Sequence, residues 1–487
     1  MLMPPLLATV VFALGILGLF ILDRDPKART SKALWIPVIW LLINGSRPVS
    51  QWLQLTPTMD SPDSILEGSP LDAQVYAILV AAGLIVMVTR GRQVGTFLRA
   101  NGPILVFFLY CAISVLWSEY SFVAFKRWTK AVGDLIMVLI VLTDPDRSAA
   151  IKRFLKRTSF LLFPISVLLI KYYPELGRAY DRWEGMRLNT GVTTNKNLLG
   201  VICLVLGLGV LWRFLQVYLR RESTPRWKPL IAQGVVLALV LWLLWAANSM
   251  TSLACFVLAG SLIVVTNCSA LARQRSVIHL LVFVMLFAPL SALFLGASGA
   301  LEAMGRDPTL TGRTEIWSLL LPMAENPLFG AGYESFWLGK RLETIWDMNI
   351  YHFRLNEAHN GYIEVFLNLG WVGIVLLALL MVSGYRDIVN SLQRDSDAAS
   401  LRLAYLVAAA IYSFTEAGFR MMSPVQIAFL FAVIVVPMLG SEGRNAATRE
   451  LMPSEADNGR SSSTTGERVP PVASIHFEEV TPAPTIP

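Results

Sequence analysis

Charge is what this 487-residue chain has least of: 15% of its residues are Asp, Glu, Lys or Arg, against about 25% in an ordinary soluble domain. With 55% hydrophobic residues and a mean hydropathy of +0.56, a soluble enzyme is excluded. Cysteine and histidine are scarce too, with four of each. Cys111, Cys203, Cys255 and Cys268 lie in or at the ends of apolar runs without C-x-x-C spacing, which suggests neither a disulfide framework nor a zinc site. No H-E-x-x-H, P-loop, G-x-S-x-G or Rossmann glycine pattern occurs, so the common metal, nucleotide and serine-nucleophile chemistries have no signature here. Nor is an internal repeat of solenoid or inverted-transporter type visible.

What is abundant is apolar sequence. Runs fall near 2–22, 33–45, 73–89, 103–117, 129–143, 158–170, 197–219, 230–248, 251–267, 278–297, 363–384, 401–416 and 424–440. With their flanks they approach the roughly 20 residues needed to cross a bilayer of about 30 Å. The expected fold is all-α, a polytopic membrane protein of about 12–13 transmembrane helices. The first run lacks a basic n-region and a small-residue cleavage site before Asp23, and is read as an anchor. The membrane domain is placed at 1–440. Residues 441–487 turn to Ser, Thr, Glu, Pro and Asn and are read as a disordered cytoplasmic tail.

The net charge of +7 is not a nucleic-acid footprint, because the basic residues sit in short breaks between the runs. Breaks holding Arg24, Lys27, Arg29 and Lys32, then Arg90, Arg92 and Arg99, then Arg147 to Arg157, then Arg220 to Lys228 alternate with poorer ones. Those basic breaks belong on the cytoplasmic side. Residues 46–72, 118–128, 171–196, 298–362 and 417–423 then face outward. The longest, 298–362, is too long for a connector and is expected to be functional. Within it Ile316, Leu319, Leu320 and Met323 have helical spacing, which predicts a short surface helix ended by Asn326-Pro327.

Of the histidines, His476 is in the tail, His279 opens a cytoplasmic-side span, and His352 sits among aromatics. His359 stands in NEAHNGY where the long loop re-enters the membrane. Its imidazole titrates near neutral pH and could serve as a general base, or could simply cap the following helix. Outward arginines run against the positive-inside bias: Arg127, Arg178, Arg182, Arg187, Arg313, Arg341, Arg354 and Arg420. Guanidinium forks suit phosphate oxygens, and headgroup snorkelling is the alternative. Lys196, at the start of a span, is a weaker candidate of the same kind. Glu416, at the outer end of a span, is a functional candidate or the ion-pair partner of Arg420 at i+4. Asp23-Arg24-Asp25 is a D-x-D and is taken as helix-end punctuation.

Five motifs taken in order resemble one family. SVLWSEYSFVAFKRWTK, RLNTGVTTNKNLLG, TGRTEIW with NPLFGAGYESF, EAHNGYIEVFLNLGWVG and FTEAGF are similar to the bacterial O-antigen ligase and Wzy-type polysaccharide polymerase superfamily. The opening LDRDPKARTSKALWIPVIWLLINGSRPVSQWL is most like its exopolysaccharide polymerase branch. The resemblance implies a bacterial inner-membrane, multi-pass glycosyltransferase whose site faces the periplasm, with 298–362 as the periplasmic loop. It implies an undecaprenyl-diphosphate-linked oligosaccharide as substrate, inversion by single displacement, and neither metal nor cofactor. Membrane lipid and a chain-length regulator protein are the other implied partners, and nucleic acid is not one. On this mapping His359 is the essential histidine, Arg313 and Arg187 hold the diphosphate, Arg127 matches more loosely, and Glu416 is the acid of the T-E motif. One histidine stands in the H-N motif where some ligases carry two.

The reading is a polymerase that passes a lipid-linked chain to a hydroxyl of another lipid-linked repeat unit. A ligase with a lipid A core or protein acceptor would use the same site. A flippase for the same lipid-linked sugar would need polar or broken helices at mid-membrane. An integral transferase using Asp60 or Asp63 in the first outward loop is a further alternative.

Overall fold

The computed structural model describes residues 3–25, 29–55, 68–180, 185–219, 227–267, 274–294, 313–348, 354–394 and 398–436, all within one compact unit, Met1–Pro437. The expected tail lies outside the described residues, as do Asp60, Asp63, Arg182, Cys268, His352 and His476.

The described chain is almost wholly helical. In order come α1 (Pro5–Leu22), α2 (Trp35–Asn44), α3 (Pro70–Thr89), α4 (Gly91–Ala100), α5 (Gly102–Ser114), α6 (Ser121–Leu142), α7 (Arg147–Tyr172) and α8 (Lys196–Leu219). There follow α9 (Trp227–Ala247), α10 (Met250–Asn267), α11 (Arg275–Phe294), α12 (Arg313–Leu320), α13 (Gly339–Asp347), α14 (Gly361–Gln393), α15 (Ala399–Tyr412) and α16 (Pro424–Val433). One two-stranded antiparallel pair, β1 (Arg178–Tyr180) and β2 (Arg187–Asn189), lies in the segment between α7 and α8, with Ala179 opposite Leu188.

Among the described residues each of the thirteen apolar runs contains a helix, because a long apolar run can satisfy its backbone groups in lipid only as a helix. Six helices, α1, α3, α8, α9, α10 and α14, are long and apolar enough to cross a membrane, and α4 with α5 forms a pair bent by 90°. The chain is an all-α, multi-pass membrane protein. Its centre is α15, buried along its whole length between α8, α10, α14 and α16, whereas α1 keeps most of its apolar surface outside the fold, as a lipid-facing helix does. The D-x-D is indeed a helix end: Asp23 is the C-cap of α1, is buried, and pairs with Lys156 at 3.5 Å.

Helix α14 is too long, at 33 residues, to be one span of about 20. It breaks at Gly370, whose φ of 63° and ψ of −164° suit glycine far better than any other residue. A break inside an apolar helix frees carbonyls before it and amides after it. The NPLFGAG segment supplies partners for both. Trp371 N donates to Pro327 O at 2.9 Å and Val372 N to Leu328 O at 3.2 Å, while Ala331 N donates to Leu367 O at 3.0 Å and Gly332 N to Asn368 O at 2.9 Å. A Cβ on Gly370 would come within 2.2 Å of Leu328 O. The two glycine-bearing motifs, far apart in sequence, are therefore one interlocked piece of backbone. That lock leaves residues 361–369 as a short lead helix ahead of the longer segment 371–393, which is apolar through Gly384. His359 precedes this lead helix, two residues before the candidate span Gly361–Gln393 begins.

Candidate active site

The tripeptide His359-Asn360-Gly361 has a separate physical duty at each position. Asn360 is the helix cap, its Oδ1 accepting from Tyr362 N at 3.0 Å and Ile363 N at 3.1 Å. Capping, one of the two readings of His359, thus belongs to its neighbour. Gly361 lets the lead helix press against the end of α15: its N–H donates to Ser413 O at 2.7 Å, and a Cβ there would stand 2.9 Å from Ser413 Cβ. That contact brings the 413–416 turn, and with it Glu416, beside the loop. His359 itself has φ +49°, a left-handed conformation that non-glycine residues adopt rarely. The segment is held by the buried Glu364, whose carboxylate accepts from Ala358 N at 2.5 Å and from Trp337 Nε1 at 2.9 Å.

Around His359 the charged side chains form one chain of ion pairs. Arg313 Nη2 meets Glu416 Oε1 at 2.8 Å; Glu416 Oε2 is 3.3 Å from His359 Nδ1; Glu357 Oε1 is 3.1 Å from the same nitrogen. Beyond Glu357 lies Arg420 at 3.4 Å, and Arg420 Nε is 3.7 Å from Glu334. Arg127 closes the series by donating to the Glu334 carbonyl. Of the five non-glycine residues with positive φ among the described residues, Glu334, His359 and Met422 all belong to this region, so backbone strain is concentrated here.

The electrostatics follow from this packing. Burial alone would push the His359 imidazole pKa down, but the hydrogen bonds and charges of Glu357 and Glu416 outweigh it and raise it from 6.5 to about 9. Burial likewise opposes ionisation of Glu357, yet His359 and Arg420 hold its carboxyl down to about 2. Arg420 is pushed above its ordinary value, because Glu334, Glu364 and Glu357 overcome its burial. Both carboxylates address Nδ1, which leaves Nε2 with no partner among the described residues. A carboxylate on Nδ1 and an open Nε2 is the arrangement that makes an imidazole a strong base.

The structure thus gathers His359, Arg313 and Glu416 directly, and Arg127 through Glu334 and Arg420. It does not bring Arg187 into that network: Arg187, on β2, bonds Asn189 Oδ1 at 3.2 Å, and Asn189 is tied to Ala246 O at the end of α9 at 2.9 Å. Lys196 opens α8 outside the ion-pair chain. The expected Glu416–Arg420 pair at i+4 is corrected: α15 stops at Tyr412 and residues 413–423 are turns, so helical spacing does not apply and Glu416 pairs with Arg313. Arg341 pairs with Glu325 at 2.9 Å, Arg178 donates to Ile170 O at 2.7 Å, and His279 meets the Tyr385 hydroxyl at 2.6 Å. Sequence reasoning missed Glu357, Glu334 and Glu364 as members of the site. All three had a signal, Glu357 and Glu364 as carboxylates inside the EAHNGYIEV motif and Glu334 as the carboxylate of NPLFGAGYESF.

Glu357, His359 and Glu416 also offer three ligand atoms within 4.8 Å of one another, a spacing that could hold a metal ion. Each carboxylate already faces an arginine, so a divalent cation would enter a cluster whose negative charge is matched. The donor set fits a charged imidazole better than a metal.

Residues 197–378 match the O-antigen ligase family model. The exopolysaccharide production protein ExoQ of Rhizobium meliloti (strain 1021) is 23% identical over 373 residues, covering 75% of this chain and 83% of that protein. No solved structure matches the chain. The family match covers α8 to the first turns beyond Gly370 and takes in Arg313 and His359, but not Glu416. Family model and relative together bear out the likeness carried by the five motifs, to the O-antigen ligase and Wzy-type polymerase superfamily and, within it, to the exopolysaccharide branch.

Proposed function

We propose that the chain is a polysaccharide polymerase of the bacterial inner membrane that works at the periplasmic face. It would transfer a glycan from undecaprenyl diphosphate to a sugar hydroxyl of another lipid-linked repeat unit, with inversion and without a metal. The observation that carries this reading is the juxtaposition of an open imidazole Nε2 with Arg313 across Glu416. As the acceptor oxygen bonds to the anomeric carbon, the bond from that carbon to the diphosphate oxygen breaks and the diphosphate leaves with the electron pair. The leaving group is already a stable anion and needs fixed positive charge, which Arg313 supplies with its fork oriented by Glu416. The acceptor's proton goes to His359 Nε2, and the imidazolium so formed is stabilised by Glu357 and Glu416. Arg187 would reach the diphosphate only from the outer hairpin, as a secondary contact.

A flippase would use a broken helix as its substrate site. The break at Gly370 is present, but its freed backbone groups are taken by residues 327–332, so it supports a lock and not a passage. The test is the lipid pool of a deletion strain: single repeat units on the lipid are expected, whereas finished polymer that never reaches an acceptor would favour a ligase.

A further inference from the structure

Beside the interlocked backbone, with Gly330, Ala331 and Leu367 in its lining, lies a cleft of about 560 Å³, within the range of roughly 300 to 1,000 Å³ typical of small-ligand sites. The turn after α5 contributes Trp117 and Glu119, the segment leading into the NPLFGAG motif contributes Glu325 and Asn326, and Phe329 and Arg341 complete the rim. Trp117 and Phe329 stand edge to face with ring centroids 6.0 Å apart, and they are 39% and 42% exposed. Large aromatic faces left open inside a concave, charged rim call for a ligand that has both an apolar and a hydroxylated side.

The polar groups narrow the chemistry. Arg341 is laid over Phe336 at 5.2 Å and braced by Glu325 at 2.9 Å, so it presents a fixed fork of donors. Asn326, in the lining, spends its Oδ1 on Leu328 N and Phe329 N, which leaves its amide donors without a partner among the described residues. The Glu119 carboxylate, exposed, has none among them either. Acceptors and donors of both charges around an L-shaped aromatic platform fit a pyranose, whose C–H face packs on rings while its hydroxyl pairs bridge carboxylate, amide and guanidinium. Lipid tails would leave those charges bare, at a cost.

Geometry ties the cleft to the site. Leu367, on the lead helix, lines it, and residue 361 beside His359 begins that helix, so the two ends are about 9 Å apart along its axis. We propose that this cleft is a glycan subsite, holding a neutral sugar one or two residues away from the hydroxyl that reacts at His359. The inference rests on the chain's being a glycan transferase.

The experiment uses full-length protein in lipid nanodiscs and, as probe, short oligosaccharides released by partial hydrolysis of the polysaccharide of the strain that carries the chain, read by saturation-transfer NMR. Wild type and His359→Ala are expected to bind alike, while Trp117→Ala and Glu119→Gln each weaken binding by about tenfold, close to 1.4 kcal/mol. His359→Ala lacking transfer but keeping binding separates this subsite from the chemistry. Unchanged binding in both cleft variants, no binding by wild type, or displacement of the sugar by added phosphatidylglycerol would overturn the proposal. Because Trp117→Ala could disturb folding, Glu119→Gln, at an exposed position, is the deciding variant. Finding that wild-type protein binds the fragments but makes no polymer in any assay would sink the polymerase reading and leave the subsite standing.

Discussion

Replacing Glu357 by Gln should move the pH dependence of transfer in a direction that intuition would not suggest. His359 is held up to about 9 by two carboxylates acting against its burial. An opposite charge at this distance is worth about 1 to 3 pKa units, so removing one of the two should bring the imidazole to roughly 6 to 8. Glu357 is the cleaner choice, because Arg420 keeps Glu334 at 3.7 Å and the Arg313–Glu416 contact is untouched. For the wild type only about one imidazole in a hundred is neutral at pH 7, since that pH lies about two units below the pKa. The rate should therefore climb about tenfold per pH unit from 7 until it levels near 9. In Glu357→Gln the rising limb sits lower, so the variant should be the faster enzyme at pH 7 and the slower one above pH 9. The assay is kcat/KM for a labelled lipid-linked oligosaccharide in detergent across pH 5.5 to about 10, because kcat/KM reports the free enzyme. A wild-type profile that is flat or falls between 7 and 9, or a midpoint that does not move in the variant, would refute the base role of His359.

Further outcomes distinguish the parts of the site. Arg313→Lys should lower transfer by roughly ten- to hundred-fold, from the loss of a charge-assisted bond of about 1.5 to 3 kcal/mol, and Arg187→Lys by less; equal effects at matched expression would place both arginines at the diphosphate. Gly361→Ala should destabilise the protein by about 1 to 3 kcal/mol and impair transfer, since the new Cβ would press on Ser413; Gly15→Ala, with nothing within 4 Å, is the control in a detergent melting assay. Chelation by EDTA should leave transfer unchanged, and loss with recovery on adding magnesium or manganese would mean that Glu357, His359 and Glu416 hold a metal after all.

What the sequence made legible is what is local. An apolar run fixes a helix wherever it occurs, and the spacing of Ile316, Leu319, Leu320 and Met323 fixed a short amphipathic one, observed as α12 followed by a 3-10 turn through Met323. The break at Gly370 was hidden because a glycine in an apolar run is silent until its partner backbone, 327–332, is known. Of the two readings of Glu416, the pairing with Arg420 fails for a related reason: i+4 spacing means contact only inside a helix, and the chain there is a turn. His359 and Arg313 were found through motifs, yet the two carboxylates on Nδ1 come from opposite sides, one from the loop and one from beyond α15. Only packing unites them.

The most direct measurement is reconstitution of the purified protein in proteoliposomes with one lipid-linked repeat unit as both donor and acceptor. A ladder of lipid-linked products rising by one repeat per step, absent with His359→Ala, is the predicted result. No product longer than the starting unit, with transfer appearing only when a lipid A core or protein acceptor is supplied, would contradict it.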